Sequence, residues 1–569
     1  MKNIEKTYAL WLKAVKGSDL FELKKEGSSF EDIADAFYRD LAFGTGGLRG
    51  KLGMGPNRMN IYTVGKATQG LADYLNDRFE NPSVALCRDS RNGGEAFVRR
   101  AAEVLAANGV TVHIFPRIEP TPALSFAVRD LGCSAGVNIT ASHNPAIYNG
   151  YKVYGSDGCQ ITVDAARKIQ AAIDSTDIFE GVKSVQFEEG ESAGLIQWIG
   201  NEKIDRYSEA VLSQSMGVDC SNLSVVYTPL NGTGLECVSR ILDAIGVSSV
   251  SIVPEQAEPD GDFQTCPYPN PEVREALSLG LRMCDRVHPD LLLATDPDAD
   301  RVGIAISHNE TYELLSGNEV GILLLDFLAR KSLECNIDLG DKVAMTTIVS
   351  APMADDLALA YGFELRRTLT GFKFIGEQVG TLDAEGLADC FLFGFEESYG
   401  YLSGSYVRDK DAVVASMLLC ELTAWWKARG LDLYDVMHNL YEKYGFWNNE
   451  LLSVVYEGPD GAEKMSEIMA GLRRSNPLGI AGIAIEQVID YSDGVEMPVI
   501  NAPMNANKQI LPASDVLEFR LTGGSRVIIR PSGTEPKIKA YVFAKSANEQ
   551  ESTALVQALS HGTMLLLRI

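Results

Sequence analysis

Three α/β domains of similar design, followed by a smaller α+β C-terminal domain, are the fold class this sequence predicts. Three observations predict it. A chain of 569 residues is too long for one hydrophobic core. One arrangement of apolar strands and amphipathic helices recurs three times. The last segment breaks that arrangement with a hairpin-like pattern.

The first round opens on the strand Val84-Ala85-Leu86-Cys87, followed by the polar loop Arg88 to Gly94 and a helical stretch. A second strand runs from Val110 to Phe115. A third, Ala135 to Ile139, ends in the loop Thr140-Ala141-Ser142-His143-Asn144-Pro145. The second round takes Leu223 to Tyr227, a helix near 234–245, Val250 to Val253 and Leu291 to Thr295. It ends in Asp296-Pro297-Asp298-Ala299-Asp300-Arg301. The third takes Val343 to Ile348, a helix near 351–361, Phe363 to Arg367 and Cys390 to Gly394. It ends in Phe395-Glu396-Glu397-Ser398-Tyr399-Gly400. Alternating strands and helices imply parallel βαβ units. Ligands of open α/β sheets bind beyond the carboxyl ends of the strands, so each round aims one loop at a shared site. In the last segment, Ser525 to Arg530 and Ile538 to Phe543 flank Pro531-Ser532-Gly533-Thr534-Glu535-Pro536. The divisions fall at 1–205, 206–315, 316–445 and 446–569.

Composition narrows the function. At 46% hydrophobic and 22% charged, the chain has the make-up of a soluble globular protein. No apolar run approaches a membrane span, and the N-terminus lacks the apolar core of a signal peptide. The ten cysteines are scattered without metal-ligand spacing, as expected of reduced thiols in the cytoplasm. A net charge of −26 argues against a nucleic-acid partner. An anionic substrate would then need a locally basic cleft in an acidic body.

Each loop carries different chemistry. Ser142 is a nucleophile or a carrier of a phosphoryl group, and a serine hydroxyl needs a base or an electrophilic metal to act. His143 is adjacent, although a single histidine is more often structural than catalytic. Lys152, taken alone, reads as a surface strand lysine; desolvated beside a metal–phosphate site it would serve as acid or base. Asp296, Asp298 and Asp300 repel one another unless a cation sits among them. A hard divalent ion, Mg2+ above all, fits three carboxylates that follow an apolar strand. The loop is not an EF-hand, lacking that motif's glycine and twelfth-position glutamate. Arg530, Ser532, Gly533 and Thr534 form an anion cradle: an arginine fork, two hydroxyls and backbone N–H groups. Glu396, Glu397 and Ser398 supply acceptors for sugar hydroxyls. Paired glutamates also occur in glycosidases. Adjacent residues point apart, however, and a glycosidase has no use for the acidic triad or the cradle. Lys373, in Thr370-Gly371-Phe372-Lys373-Phe374, is a further phosphate contact or a plain surface lysine.

The serine loop Thr140–Pro145, metal loop Asp296–Arg301, sugar loop Gly394–Gly400 and phosphate loop Arg530–Pro536 together resemble the α-D-phosphohexomutase superfamily over nearly the whole chain. Phe43-Gly44-Thr45-Gly46-Gly47-Leu48-Arg49-Gly50 is similar to that family's opening signature. The resemblance implies three similar mixed-sheet α/β domains plus a smaller α+β C-terminal domain around a central cleft. It implies a phosphorylated Ser142 that shares one Mg2+ with the three aspartates, and glucose 1,6-bisphosphate as activator. Arg49 and Arg301 would lie at the reacting phosphate, Lys152 would act as acid or base, and His143 would assist near the serine. The phosphate loop would hold whichever phosphate is not reacting, and the fourth domain would be a lid.

Glu396-Glu397-Ser398 and the long lead before Phe43 resemble the branch of bacterial α-phosphoglucomutases and animal phosphopentomutases. The expectation is interconversion of glucose 1-phosphate and glucose 6-phosphate by a cytoplasmic monomer or homodimer with no membrane partner. Phosphopentomutase, phosphomannomutase and glucose 1,6-bisphosphate synthase are the alternatives within the superfamily. A metal-dependent sugar phosphatase is the rival from another class. Only six histidines occur, none clustered, where alkaline-phosphatase-type sites are histidine-rich.

Overall fold

A computed structural model describes residues 4–18, 20, 29–44, 46–456, 461–502, 508–532 and 537–567. The chain divides into two compact units, one of residues 1–320 and 372–429, the other of 321–371 and 430–569.

The first unit holds two mixed sheets. In the six-stranded one the order is Leu48–Lys51, Tyr148–Gly155, Ala135–Ile139, Ser83–Arg88, Thr111–Ile114, Ile196–Trp198. The strand Ala135–Ile139 is buried along its whole length, as a central strand covered on both faces must be. In the five-stranded sheet the order is Thr311–Leu315, Val302–His308, Leu291–Thr295, Ser224–Thr228, Ser249–Ile252. Its central strand is Leu-Leu-Leu-Ala-Thr, every residue buried. The unit also contains the hairpin Phe391–Glu396/Gly400–Leu402 and the helix Ala412–Lys427. That helix is apolar nearly all round, and all but its last two residues are buried. Asp411 starts it, its carboxylate accepting the N–H groups of Val413 and Val414.

In the second unit Val343–Thr347 pairs in parallel with Glu364–Thr368. A six-stranded sheet runs Phe446–Val455, Lys537–Ser546, Arg526–Pro531, Leu517–Leu521, Ile483–Asp490, Gly479–Ile480. The helices Gly461–Ser475 and Glu549–Leu566 pack on it, and Leu567 joins its core. The expected hairpin is present, with Arg530 opposite Lys539.

Each expected βαβ strand appears within a residue or two of its expected position. What the apolar pattern missed are the return strands. Tyr148–Gly155, Val302–His308 and Gly400–Leu402 each run antiparallel to the strand that carries a functional loop. The three loops are therefore hairpin connections at the ends of buried strands, and the returns make the sheets mixed. Their sequences hide them: Tyr-Asn-Gly-Tyr-Lys-Val-Tyr-Gly neither alternates cleanly nor runs apolar, because its Lys152 serves a site rather than a core.

Candidate active site

Ser142 sits between the strand Ala135–Ile139 and its antiparallel neighbour. Its backbone is left-handed, φ 52°, a conformation a side chain rarely adopts. The turn aims the hydroxyl across the sheet ends, and Oγ donates to Asp296 Oδ2 at 2.8 Å. His143 Nδ1 lies 3.2 Å from the same Oγ. Burial, and then the positive charge of Arg301, hold the His143 imidazole well below its ordinary pKa, so it is neutral at pH 7. Arg49, on the edge strand Leu48–Lys51, reaches Asn144 Oδ1 at 3.5 Å.

The acidic loop is wound around Asp296. Its Oδ1 accepts the N–H groups of Asp300 and Arg301 at 3.1 and 3.0 Å, with Ala299 left-handed between. Carboxylate oxygens of Asp296, Asp298 and Asp300 come within 4.8 Å of one another, and all three side chains are buried. Asp298 Oδ2 is held by Thr121 Oγ1 at 2.8 Å and by Lys152 Nζ at 2.7 Å. Burial pushes the Asp298 carboxyl up, but Lys152 outweighs it and leaves it well below the usual carboxylate range. Asp296 is raised by burial and then by Asp298 and Asp300. Asp298 Oδ1 and Asp300 Oδ1 are buried with no hydrogen-bond partner. Orphaned, converging carboxylate oxygens beside a hydroxyl are a donor set for a hard divalent cation.

Cations surround the triad. Lys152 Nζ is also 3.6 Å from Asp300. Arg301 pairs with Glu272 at 3.0 Å and approaches Asp300 at 3.6 Å. Lys410, which no sequence motif marks, places Nζ 3.2 Å from Asp300 and 2.9 Å from Asp409. Asp409 is in turn held by Tyr154 Oη at 3.1 Å and Gln160 Nε2 at 3.0 Å. A signal for Lys410 did exist. Arg408-Asp409-Lys410-Asp411 leads straight into a mostly apolar, buried helix, so those charges cannot all face solvent.

Glu396 is buried at the end of its strand; burial raises its carboxyl, opposed by Lys410 and Arg301. Glu397 and Ser398 are half-buried in the hairpin turn. Lys373 sits in the first turn of the helix Phe372–Ala384, Nζ 4.8 Å from the Phe374 ring, its pKa lowered by burial. Arg530 and Ser532 belong to the second unit. Arg530 Nε is buried without a partner, free to meet an anion, and Ser532 N–H donates to Lys537 O at 2.7 Å. Gly533 and Thr534 lie outside the described residues. The structure thus gathers Ser142, His143, Arg49, Lys152, Arg301 and the three aspartates in one unit, with Glu396 at their edge. Sequence reading also passed over Arg91, Asp89 and Thr121, which support the serine and acidic loops from beneath.

A buried serine hydroxyl against three carboxylates and a ring of cations defines a phosphoryl-transfer class of site. Models of the phosphoglucomutase/phosphomannomutase α/β/α domains I, II and III match residues 40–178, 205–309 and 316–444. The model of that family's C-terminal domain matches 495–556. The chain belongs to the phosphoglucomutase/phosphomannomutase family, within the α-D-phosphohexomutase superfamily, and is an intramolecular phosphotransferase. A phosphoglucomutase of Staphylococcus saprophyticus is 34% identical over 97% of this chain and 98% of its own length. One of Staphylococcus aureus is 35% identical over the same shares. Among solved structures, a putative phosphomannomutase from Thermus thermophilus aligns at TM-score 0.69 and 22% identity, over 93% of this chain and 100% of that one. The open form of Paramecium parafusin, a phosphoglucomutase, aligns at 0.68 and 18%, over 93% and 96%. At such identities the structures speak for the fold.

Proposed function

We propose that this chain is an α-phosphoglucomutase that interconverts glucose 1-phosphate and glucose 6-phosphate through phosphoserine at Ser142 and a glucose 1,6-bisphosphate intermediate. The observation that carries the proposal is the contact of Ser142 Oγ with Asp296 inside the buried carboxylate triad. The curated relatives bearing that activity's name, aligned over 97% of the chain, support it.

Ser142, Asp296, Asp298 and Asp300 would hold one Mg2+, which would supply positive charge to a phosphoryl group in transit. The chain's own groups do the rest. The Ser142 loop presents the phosphoryl group to one sugar hydroxyl and later takes the second phosphate back. Lys152 and Lys410 hold protons on buried ammonium groups: burial works to lower both pKa values, but their neighbouring carboxylates outweigh it and raise them. Lys152 is the acid or base of the transfer: as ammonium it gives its proton to the departing oxygen, and the amine so formed can take one from the attacking hydroxyl of the return step. Neutral His143 assists near the serine, its Nδ1 3.2 Å from Ser142 Oγ. Arg49 and Arg301 neutralise the moving phosphate, Glu396, Glu397 and Ser398 orient the sugar, and Lys373 is a further phosphate contact. Arg530, Ser532, Gly533 and Thr534 bind the phosphate that is not reacting, in both orientations of the bisphosphate. Glucose 1,6-bisphosphate acts as activator by phosphorylating Ser142.

The reading divides the chain into functional domains at 1–205, 206–315, 316–445 and 446–569. It places the enzyme in the cytoplasm, as a monomer or homodimer; ten free cysteines fit a reducing compartment. Among the described residues no helix is long and apolar enough to cross a membrane.

The test is an assay with glucose, mannose, ribose and N-acetylglucosamine 1-phosphates, with and without glucose 1,6-bisphosphate. Fastest conversion of glucose 1-phosphate supports the proposal. A preference for ribose or mannose 1-phosphate reassigns the sugar, and release of inorganic phosphate in place of isomerised product overturns the mutase reading.

A further inference from the structure

We infer that Arg91 is a positioning residue for the Ser142 hydroxyl, its guanidinium being the template on which the serine loop is wound. The inference rests on the proposed role of Ser142 as phosphoryl carrier.

Arg91 follows the strand Ser83–Arg88, which pairs in parallel with Ala135–Ile139. The two loops therefore leave the sheet side by side. Nη1 donates to the carbonyls of Pro145 at 3.0 Å and Tyr148 at 3.1 Å. Nη2 donates to the carbonyls of Ser142 and Asn144. A loop without regular structure thus turns carbonyls from its whole length onto one planar cation. The rigid fork of N–H donors in arginine suits this, and the single ammonium of lysine does not.

The guanidinium is itself fixed on every side. Asp89 Oδ2 lies 3.3 Å from Nε, both side chains fully buried, and Asp89 Oδ1 accepts the Arg91 N–H at 2.9 Å. The ring of Phe263 covers its face, centroid 5.0 Å from Cζ. Asn92 ties the two loops to their surroundings, donating to Asp262 at 2.6 Å and accepting from Asn149 at 2.9 Å. The Nη groups give two hydrogen bonds each to loop carbonyls, Nε is ion-paired with Asp89 without a hydrogen bond, and the residue is 3% exposed, so the side chain is enclosed away from a substrate.

The consequence falls on Ser142. Its left-handed backbone aims Oγ at Asp296, and its carbonyl is one of the four that Arg91 holds. Thr140 Oγ1 secures the N–H side at 2.8 Å; Arg91 secures the carbonyl side. Without Arg91 the loop carbonyls seek other donors and Oγ leaves its aim. A displacement of about 1 Å costs a reaction of this kind roughly 10²-fold in rate.

Two variants test this: R91K, and D89N/R91M, which leaves no unpaired buried carboxylate behind. For each, kcat and KM for glucose 1-phosphate, the rate of Ser142 phosphorylation by glucose 1,6-bisphosphate, and thermal unfolding are measured. The expected result is a folded protein whose KM stays within about 3-fold of wild type while kcat falls roughly 10²-fold. Ser142 phosphorylation should slow in proportion, and less in R91K than in the double variant. A kcat within about 3-fold of wild type in either variant, or loss of folding in both, would overturn the inference. Wild-type protein that lacks mutase activity but accepts phosphate on Ser142 would overturn the proposed function instead. The Arg91 inference would then still be read from the phosphorylation rate.

Discussion

Ser142 Oγ and Asp296 Oδ2 are 2.8 Å apart although 154 residues separate them in the chain. The contact joins a hairpin of one mixed sheet to a hairpin of another, and it places the hydroxyl among carboxylates that have no counter-ion for all their charge. Two lysines and an arginine offset part of it; Asp298 Oδ1 and Asp300 Oδ1 have no hydrogen-bond partner.

That imbalance makes the protein responsive to divalent cation. Mg2+ at 100 times its dissociation constant should stabilise the fold by about 2.7 kcal/mol through mass action. Thermal unfolding with and without Mg2+ reads this directly. D298N should shrink the increment and lower mutase activity by at least about 10-fold.

Lys410 is caught between Asp300 and Asp409 with 7% of its side chain exposed. K410M strips both carboxylates of a buried partner and should cost about 3–5 kcal/mol. Urea denaturation measures the loss, and Mg2+ should recover part of it by replacing the missing charge beside Asp300.

The C-terminal sheet carries an acid-labile knot. Glu518 is buried and accepts from Tyr491 Oη at 2.7 Å and Arg520 Nε at 2.9 Å, with Arg526 at 4.0 Å. Burial pushes its carboxyl up, but Arg526 and Arg520 outweigh it and leave it below the ordinary 4.5. A depressed carboxyl contributes stability that is fully present above its unfolded pKa and is lost as pH falls through the folded one. Stability should therefore decline below about pH 4.5. E518Q should flatten that decline in urea titrations run at several pH values.

At the N-terminus, Trp11 meets Phe37, Tyr62 and Phe179 edge to face, with centroids 5.3 to 6.1 Å apart. It is 1% exposed. W11A should cost about 3–5 kcal/mol. Because none of the cluster's residues belongs to the site, kcat of the folded fraction should not change.

The chain order of strands, helices and functional loops was legible because buried strands leave uninterrupted apolar runs, and Ser142 or Asp296 stands out at the end of one. The return strands were not, since their composition answers to a site instead of a core. Lys410 and Arg91 were hidden for a related reason. A charge in sequence looks solvated, and only the fold shows that Lys410 is enclosed by Asp300 and Asp409, or that Arg91 is enclosed by the carbonyls of the serine loop. Glu397 and Ser398 were visible as polar residues, yet the hairpin leaves them half-buried at a turn while Glu396 alone is enclosed near Arg301 and Lys410.

Everything proposed for this site depends on Ser142 carrying the phosphoryl group. Intact-mass analysis of the purified protein and of S142A, each before and after exposure to glucose 1,6-bisphosphate, tests it most directly. The expected result is one phosphoryl group on the wild type, kept through turnover of glucose 1-phosphate because each cycle returns a phosphate to Ser142, and none on S142A under either condition. Phosphorylation of S142A to the wild-type level, or mutase activity in S142A comparable to wild type, would contradict it.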